Sequence, residues 1–436
     1  MNIQGPMKDN LTVWVFQTGE PLPSDDGEFR PMRAINLSNA LVEAGHNVVI
    51  WSSAFNHQKK THRSKGFNSI TLSESLIVNL IPSPGYKKNI SIARLFDHFI
   101  LAKNFKKLLK LEKKRPDVVF IGYPPIEAAY ILTQWLKSQN IPCLLDVKDQ
   151  WPSFMVDALP NKLKAMGRIF FSPYFFIAKK TMRDATCLSA MAEDFLDWAL
   201  NFSKRQKSAL DVVIPLTAPN HMSLESDLVS ALKWWSNIGV TDNGKMKIMF
   251  VGSHYPSLDF STIFEAAGYF LDSDIECDFI ICGNGELTVG LKKIASRFSN
   301  VFLPGWVDRP KIEALASLSS ASISPFRNID SYIKSLPNKV IDSLSLGLPI
   351  LSPLQGEVQR LIESEEVGLV YIEGSGKSLF QCINKLISSP EFNKKLSLNA
   401  INLYNNKFSY EIVYGGLVNH INQLSCNFNV SNNYKA

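Results

Sequence analysis

Two kinds of hydrophobic spacing alternate along the chain. Leu11–Phe16 (LTVWVF) is a compact apolar run, and RAINLSNALVEAG from Arg33 places its apolar residues at helical intervals. HNVVIWSS from His46, PDVVFIGY from Pro116 and IPCLLDV from Ile141 read as further strands, with the helical AAYILTQWLKSQ between the last two. The rhythm restarts at KMKIMFVGS (Lys245–Ser253). It continues through strands CDFIICG, NVFLPG, ASISPF and PILSP, interleaved with helices STIFEAAGYFLD, ELTVGLKKIASRF, KIEALASLSSA and NKVIDSLSLG. Buried strands alternating with helices predict an α/β fold with parallel, doubly wound sheets. Two such sets predict an N-terminal Rossmann-like domain over 1–220, a linker region at 221–244 and a second Rossmann-like domain over 245–410. A C-terminal helix returning to the first domain is expected over 411–436, with a frayed polar tail from Asn427.

Composition adds limits. A chain of 436 residues with 45% hydrophobic and 20% charged residues is an ordinary globular protein of two domains. A net charge of +6 gives no reason to expect nucleic acid. The six cysteines lack metal-ligand spacing and read as reduced thiols. No signal peptide and no apolar stretch long enough for a transmembrane helix is visible, so a cytoplasmic body is expected.

The segment SLPNKVIDSLSLGLPILS (Ser335–Ser352) carries the clearest chemical signal. Pro337 predicts a helix start, where a missing N–H costs no intrahelical bond. Gly347 and Pro349 end that helix and open a strand. Ser335, Leu336, Pro337, Asn338 and Lys339 would then offer backbone N–H groups, a helix's positive end and one ammonium group to an anion such as a diphosphate. Asp342, one turn deeper, can accept two hydrogen bonds from a ribose diol. An ordinary amphipathic helix would show the same pattern.

This run, PNK…D…LGLPIL, resembles the donor-binding helix of the family 4 retaining glycosyltransferases, which have the GT-B fold of two Rossmann-like domains facing each other across a cleft. In that family a carboxylate before the G-x-P turn binds the nucleotide ribose, and Asp342 matches it. FVGSHYPSLDFSTIFEAA (Phe250–Ala267), FIICGNGE (Phe279–Glu286) and NVFLPGWVDRPKIEAL (Asn300–Leu315) resemble the family's other donor-side segments, in order. The resemblance implies a nucleotide-sugar donor, UDP-linked and of N-acetylhexosamine type, contacted by Gly252, His254, Gly283, Trp306 and Val307. The pattern is departed from in two ways. Lys334 stands eight before Asp342 where many members have glutamate, and Ser253, His254 and Leu258 replace an Arg…Lys pair. A subset that builds surface polysaccharides, such as O-antigen or capsule, shares both departures.

Gln17–Arg63 resembles the opening of the same polysaccharide-building group. Gly19 and Gly27 lie in the loop after the first strand, where flexible backbone could approach the donor phosphate; simple turn chemistry is the other reading of Gly27. Arg30 and Arg33 begin the next helix, and Arg30 is a candidate acceptor contact. His57, Lys59 and Lys60 follow the second strand and suit a lipid diphosphate, or form a solvated loop. LLDVKDQWPSF (Leu144–Phe154) resembles the group's aspartate, basic, aspartate, Trp-Pro segment. Asp149 there is the candidate base for the acceptor hydroxyl, and Trp151 a candidate wall of the acceptor site. Alternatively Asp149 caps a helix and Trp151 is core, and the leaving diphosphate itself could take the proton. No metal and no cofactor are expected, since a helix end and cations can stabilise the leaving group.

Ser91–Asp117 and Leu163–Asp184 are apolar and basic together, a composition suited to an anionic inner-membrane surface. A buried helix with a solvated basic face would look similar. Three functions follow: transfer to a polyprenyl-diphosphate-linked acceptor, nucleotide-sugar 2-epimerisation, or a non-catalytic scaffold.

Overall fold

The computed structural model describes residues 10–25, 30–89, 91–157, 159–218 and 223–433. The chain divides into two compact units, Met1–Pro215 with Val413–Ala436, and Leu216–Ile412.

The first unit contains β1 (Thr12–Phe16), β2 (Asn47–Ser53), β3 (Phe55–Asn56), β4 (Thr61–His62), β5 (Asn68–Ser73), β6 (Leu76–Ile81), β7 (Val118–Tyr123), β8 (Cys143–Val147), β9 (Cys187–Ala190) and β10 (Val212–Val213). Its main sheet runs β10-β9-β8-β7-β1-β2-β6-β5. Every pair is parallel except β5 with β6. Helices α1 (Arg33–Glu43), α2 (Ile92–Leu111), α3 (Ile126–Gln139), α4 (Ser153–Asp157), α5 (Lys164–Phe170), α6 (Ser172–Asp184) and α7 (Glu193–Ser203) connect them. All six residues of β7 are buried, as a parallel strand covered on both faces requires. β5 (NSITLS) is polar and largely exposed, which suits an unprotected edge.

The second unit opens with α8 (Glu225–Asn237) and continues through β11 (Met246–Val251), α9 (Ser261–Leu271), β12 (Cys277–Cys282), α10 (Thr288–Ala295), β13 (Val301–Gly305), α11 (Arg309–Leu318) and β14 (Ala321–Ile323). It is completed by α12 (Asp330–Ile333), α13 (Asn338–Ser345), β15 (Ile350–Ser352), α14 (Glu357–Glu365), β16 (Gly368–Val370), α15 (Gly376–Ser388) and α16 (Pro390–Leu403), before α17 (Tyr410–Asn433). The all-parallel sheet β13-β12-β11-β14-β15-β16 has the strand order of a Rossmann fold. One face is filled by a large cluster including Phe250, Phe264, Phe279, Ile341 and Leu344.

Two segments differ from the sequence reading. The stretch taken as linker contains α8, because Trp235 is fully buried and its indole N–H donates to Lys311 O at 2.8 Å. α17 continues to Asn433, past the residue where fraying is expected.

Candidate active site

In the second unit the winding reverses between β11 and β14, and sheets of this kind bind ligands beyond the carboxyl ends of their strands at such a point. β11 runs into Gly252, whose N–H donates to Cys282 O at 3.1 Å; β12 runs into Gly283, whose N–H donates to Gly305 O at 2.7 Å. Both glycines have positive φ, +156° and +124°. A Cβ on Gly283 would stand 1.9 Å from Gly252 O, and one on Gly252 1.9 Å from Lys339 Nζ. Two backbone turns and an ammonium group therefore meet with no room for another side chain. Lys339 Nζ also lies 5.3 Å from the centre of the Phe250 ring. The lysine is in the first turn of α13, where N–H groups lack intrahelical partners and the helix end is electropositive.

Several donor-side expectations need refinement. Pro337 is the N-cap, extended at φ −65° and ψ 148°, so α13 begins at Asn338. Ser335 does not offer its polar groups to a ligand, because its N–H and hydroxyl both donate to Tyr332 O at 3.1 Å. Leu336 belongs to the core. The His254 side chain is buried, with Nδ1 3.0 Å from Thr288 Oγ1 and its ring beside Phe250 and Phe260. It pins the β11 loop to the β12 loop, whose Asn284 O accepts from His254 N–H at 3.1 Å. Burial, with help from Lys339, holds this imidazole below its usual pKa. Trp306, next after β13, is 70% exposed, whereas Val307 is core. Asp342 lies half-buried on α13, three residues beyond Lys339. Burial, then Glu411, then Asp342 raise the pKa of Tyr404.

The first unit has its own reversal, between β1 and β7, and a cavity of about 200 Å³ opens there. Glu20 organises its floor. It accepts from Ala34 N–H at 2.9 Å, at the start of α1, and from the Lys148 ammonium, which also donates to Gln17 Oε1 at 3.0 Å. Asp149, beside Lys148, lines the cavity. Solvent reaches it, yet the surrounding wall crowds it, and this desolvation raises its carboxyl to about 6 against the opposing charges of Arg94 and Lys148. A carboxyl with that pKa suits proton transfer near neutrality.

Gly19 (φ +82°) and His57 meet at the cavity wall, where a Cβ on Gly19 would stand 3.9 Å from the His57 ring. His57 is hydrogen-bonded to the Tyr86 hydroxyl. Burial, then Lys60 and Arg94, depress it to about 4, so it is neutral at pH 7. Arg30 is exposed and outside the cavity lining. Arg33 is structural: it pairs with buried Asp146 at 3.4 Å and donates to Ile214 O at 2.7 Å. Trp151 packs in the core and is no cavity wall. Tyr123 donates to its carbonyl at 2.8 Å, and the Arg94 guanidinium lies 4.7 Å from its ring centre. Gly27 lies outside the described residues.

Sequence reasoning missed Glu20, Tyr86, Arg94, His98 and Lys148, all of which line the cavity. One signal was available. Arg94, His98 and Leu101 recur at helical spacing, placing two basic residues in the inward stripe of α2.

Both aromatic-basic segments expose apolar residues. In α2, Leu101, Phe105 and Leu109 are core, whereas Ile92, Phe96 and Phe99 are exposed. In α5 and α6, Ile169 is 76%, Phe170 75% and Phe176 61% exposed, with Met166 also at the surface. Lys180 pairs with Asp184 at 2.8 Å, and Lys179 lies 5.4 Å over the Phe202 ring. Among the described residues no helix is long and apolar enough to cross a membrane, and no group of three or more His, Cys, Asp or Glu could hold a metal ion.

Two Rossmann-like units, each built on a largely parallel sheet, give the chain the GT-B fold, and its second unit carries a glycosyltransferase domain. Residues 235–403 match the protein family described as "Glycosyl transferases group 1". The fold is similar to sucrose-phosphate synthase from Thermosynechococcus elongatus, with 13% identity and TM-score 0.69 over 96% of this chain and 100% of that one. It is similar to the Anabaena HepE protein solved with UDP-glucose, with 12% identity and TM-score 0.60 over 97% and 100%. It is also similar to WaaG, described as a glycosyltransferase involved in lipopolysaccharide biosynthesis, with 11% identity and TM-score 0.63 over 94% and 99%. No curated protein matches the chain by sequence.

Proposed function

We propose that this enzyme is a retaining transferase moving a sugar of N-acetylhexosamine type from a UDP donor to a polyprenyl-diphosphate-linked sugar during surface-polysaccharide assembly. The observation carrying the donor half is the convergence of Gly252, Gly283 and Lys339 at the start of α13. Only a glycine-lined backbone lets a diphosphate approach N–H groups and an ammonium together, and these can balance its charge without a metal. Trp306 would flank the base and Asp342 the ribose. HepE, solved with UDP-glucose, and WaaG, linked by its description to lipopolysaccharide, support the reading by fold. The acceptor half rests on the first unit's cavity, with Asp149 as the proton acceptor.

Incubation of candidate UDP-sugars with a polyprenyl-diphosphate-linked sugar, with and without excess chelator, tests the function. Transfer that persists in chelator is expected. An epimerised nucleotide sugar would establish the 2-epimerase instead, and no turnover a scaffold.

Asp342→Ala should raise the donor KM by about 10–100-fold, because a hydrogen bond to a charged group contributes roughly 1.5–3 kcal/mol. An unchanged donor KM in the folded variant would remove Asp342 from the ribose.

The exposed face of α5 and α6 would rest on the anionic membrane surface at the cytoplasmic side. Ile169, Phe170 and Phe176 expose too much apolar surface to be core. Replacing all three with Ser should leave the melting temperature nearly unchanged and abolish co-sedimentation with anionic vesicles. Activity on a short water-soluble acceptor should persist. Equal vesicle binding by both proteins would exclude docking through this face.

A further inference from the structure

Lys60 and Arg94 stand close together in the first unit without a carboxylate partner. Lys60 Nζ donates to Asn89 Oδ1 at 2.6 Å and Arg94 Nη1 to Asn89 O at 3.0 Å, so both cations converge on one neutral residue. Both also lie over the Tyr86 ring, at 4.7 Å and 5.6 Å from its centre. Neither forms an ion pair among the described residues, although Lys148 and Arg63 nearby are both paired. Their fields are felt: desolvation and Arg94 lower the pKa of Lys60, and Arg94 and His57 add to the burial that depresses His98 to about 3.

Two buried polar atoms around this centre lack hydrogen-bond partners, and its backbone is unusual. Arg94 Nε is buried without a partner. So is Nδ1 of His98, a residue only 6% exposed that lines the cavity. Lys60 has φ +56°, a left-handed conformation unusual for lysine, and strain of that kind collects at binding sites. Among the carboxylates that line the cavity, Asp149 feels the charge of Arg94 but forms no ion pair with it. Asp97 accepts from Gly85 N–H at 2.6 Å and is pushed by burial toward its neutral form, and Glu20 is paired with Lys148.

The helix that carries Arg94 has a second character. Arg94 and His98 lie toward the cavity, whereas Ile92, Phe96 and Phe99, also at helical spacing, are exposed to solvent. One helix start therefore presents the Arg94 guanidinium and the neutral His98 imidazole on one side and a bare apolar stripe on the other.

We infer that this corner of the first unit is the phosphate subsite for a lipid-linked acceptor, in which Lys60, Arg94 and His98 bind phosphate oxygens while Ile92, Phe96 and Phe99 receive the hydrocarbon of the same ligand. It rests on the acceptor reading above and gives that reading its residues. The subsite's residues all belong to the first unit, whereas Lys339 and α13 belong to the second.

Calorimetric titration of the full chain with inorganic pyrophosphate and with farnesyl diphosphate tests it, each in saturating UDP. The UDP titration itself reports the donor site independently, so failure there counts against the donor reading alone. Lys60→Asn removes the charge with a residue that tolerates left-handed backbone. Lys60→Asn and Arg94→Gln should each weaken both probes about 10–100-fold, with UDP affinity unchanged. Arg94→Lys should retain most of the binding, which separates lost charge from a damaged fold. Phe96→Ser with Phe99→Ser should weaken farnesyl diphosphate but not pyrophosphate. Wild-type affinity of the charge variants for both probes, or no pyrophosphate binding by the wild type, would overturn the subsite. Equal affinity of the wild type for the two probes would overturn its hydrocarbon half and assign it to a soluble phosphate ester.

Discussion

Asp149→Asn is expected to lower kcat by about 10²-fold or more while leaving the donor KM unchanged. The substitution keeps size and polarity but removes the oxygen proposed to accept the acceptor's proton. Donor contacts in the second unit are untouched. The pH profile carries the sharper test. The base must be ionised to act, and crowding raises the carboxyl to about 6, so the wild-type kcat/KM should climb as pH rises through about 6 and then level. The variant should lose that limb. Stability should move in the opposite sense. A carboxyl that ionises less readily in the folded chain than in the unfolded one withdraws stability as pH rises from the ordinary carboxylate range through about 6. The carboxamide of the variant cannot ionise, so thermal melts at pH 7 should show the variant at least as stable as the wild type. Near-normal turnover in the variant would leave the proton to the departing diphosphate.

Gly283→Ala should abolish measurable UDP binding and lower the melting temperature of the second unit. Its Cβ would fall 1.9 Å from Gly252 O, a backbone atom that cannot turn aside, at a φ of +124° that alanine rarely adopts. Unusual backbone geometry alone costs of order 1–3 kcal/mol, and the clash adds to it by driving the β11 and β12 loops apart. Gly252→Ala is the instructive comparison. Its Cβ meets Lys339 Nζ, the far end of a flexible side chain, which can swing away. That variant should melt closer to the wild type but bind UDP about tenfold more weakly, since the ammonium leaves its place. A folded Gly283→Ala protein with wild-type UDP affinity would detach these loops from the donor.

The second unit was more legible than the first because its strands are short, mostly apolar and cleanly spaced. CDFIIC and MKIMFV can scarcely be anything but buried parallel strands once helices flank them. The α8 segment was read as linker because only Ala231 and Trp235 of its residues are buried, too few to set a helical period. His254 illustrates a different limit. A histidine after a strand end looks like a ligand contact, and only packing against Phe250, Phe260 and Thr288 shows it to be a pin between loops.

Local pattern was sufficient for the two α/β repeats, the helix near Pro337 and the Gly347 turn that ends it, because hydrophobic period, turn chemistry and helix-start chemistry act between neighbours in the chain. Tertiary structure alone decided which polar residues share a site. Glu20 reaches Lys148, and Lys60 converges with Arg94 on Asn89, across sequence separations that carry no local signal. Charge and desolvation act through space rather than along the chain. The same carboxyl chemistry therefore gives Asp146 a buried ion pair with Arg33, and gives Asp149, three residues later, a cavity wall and a raised pKa.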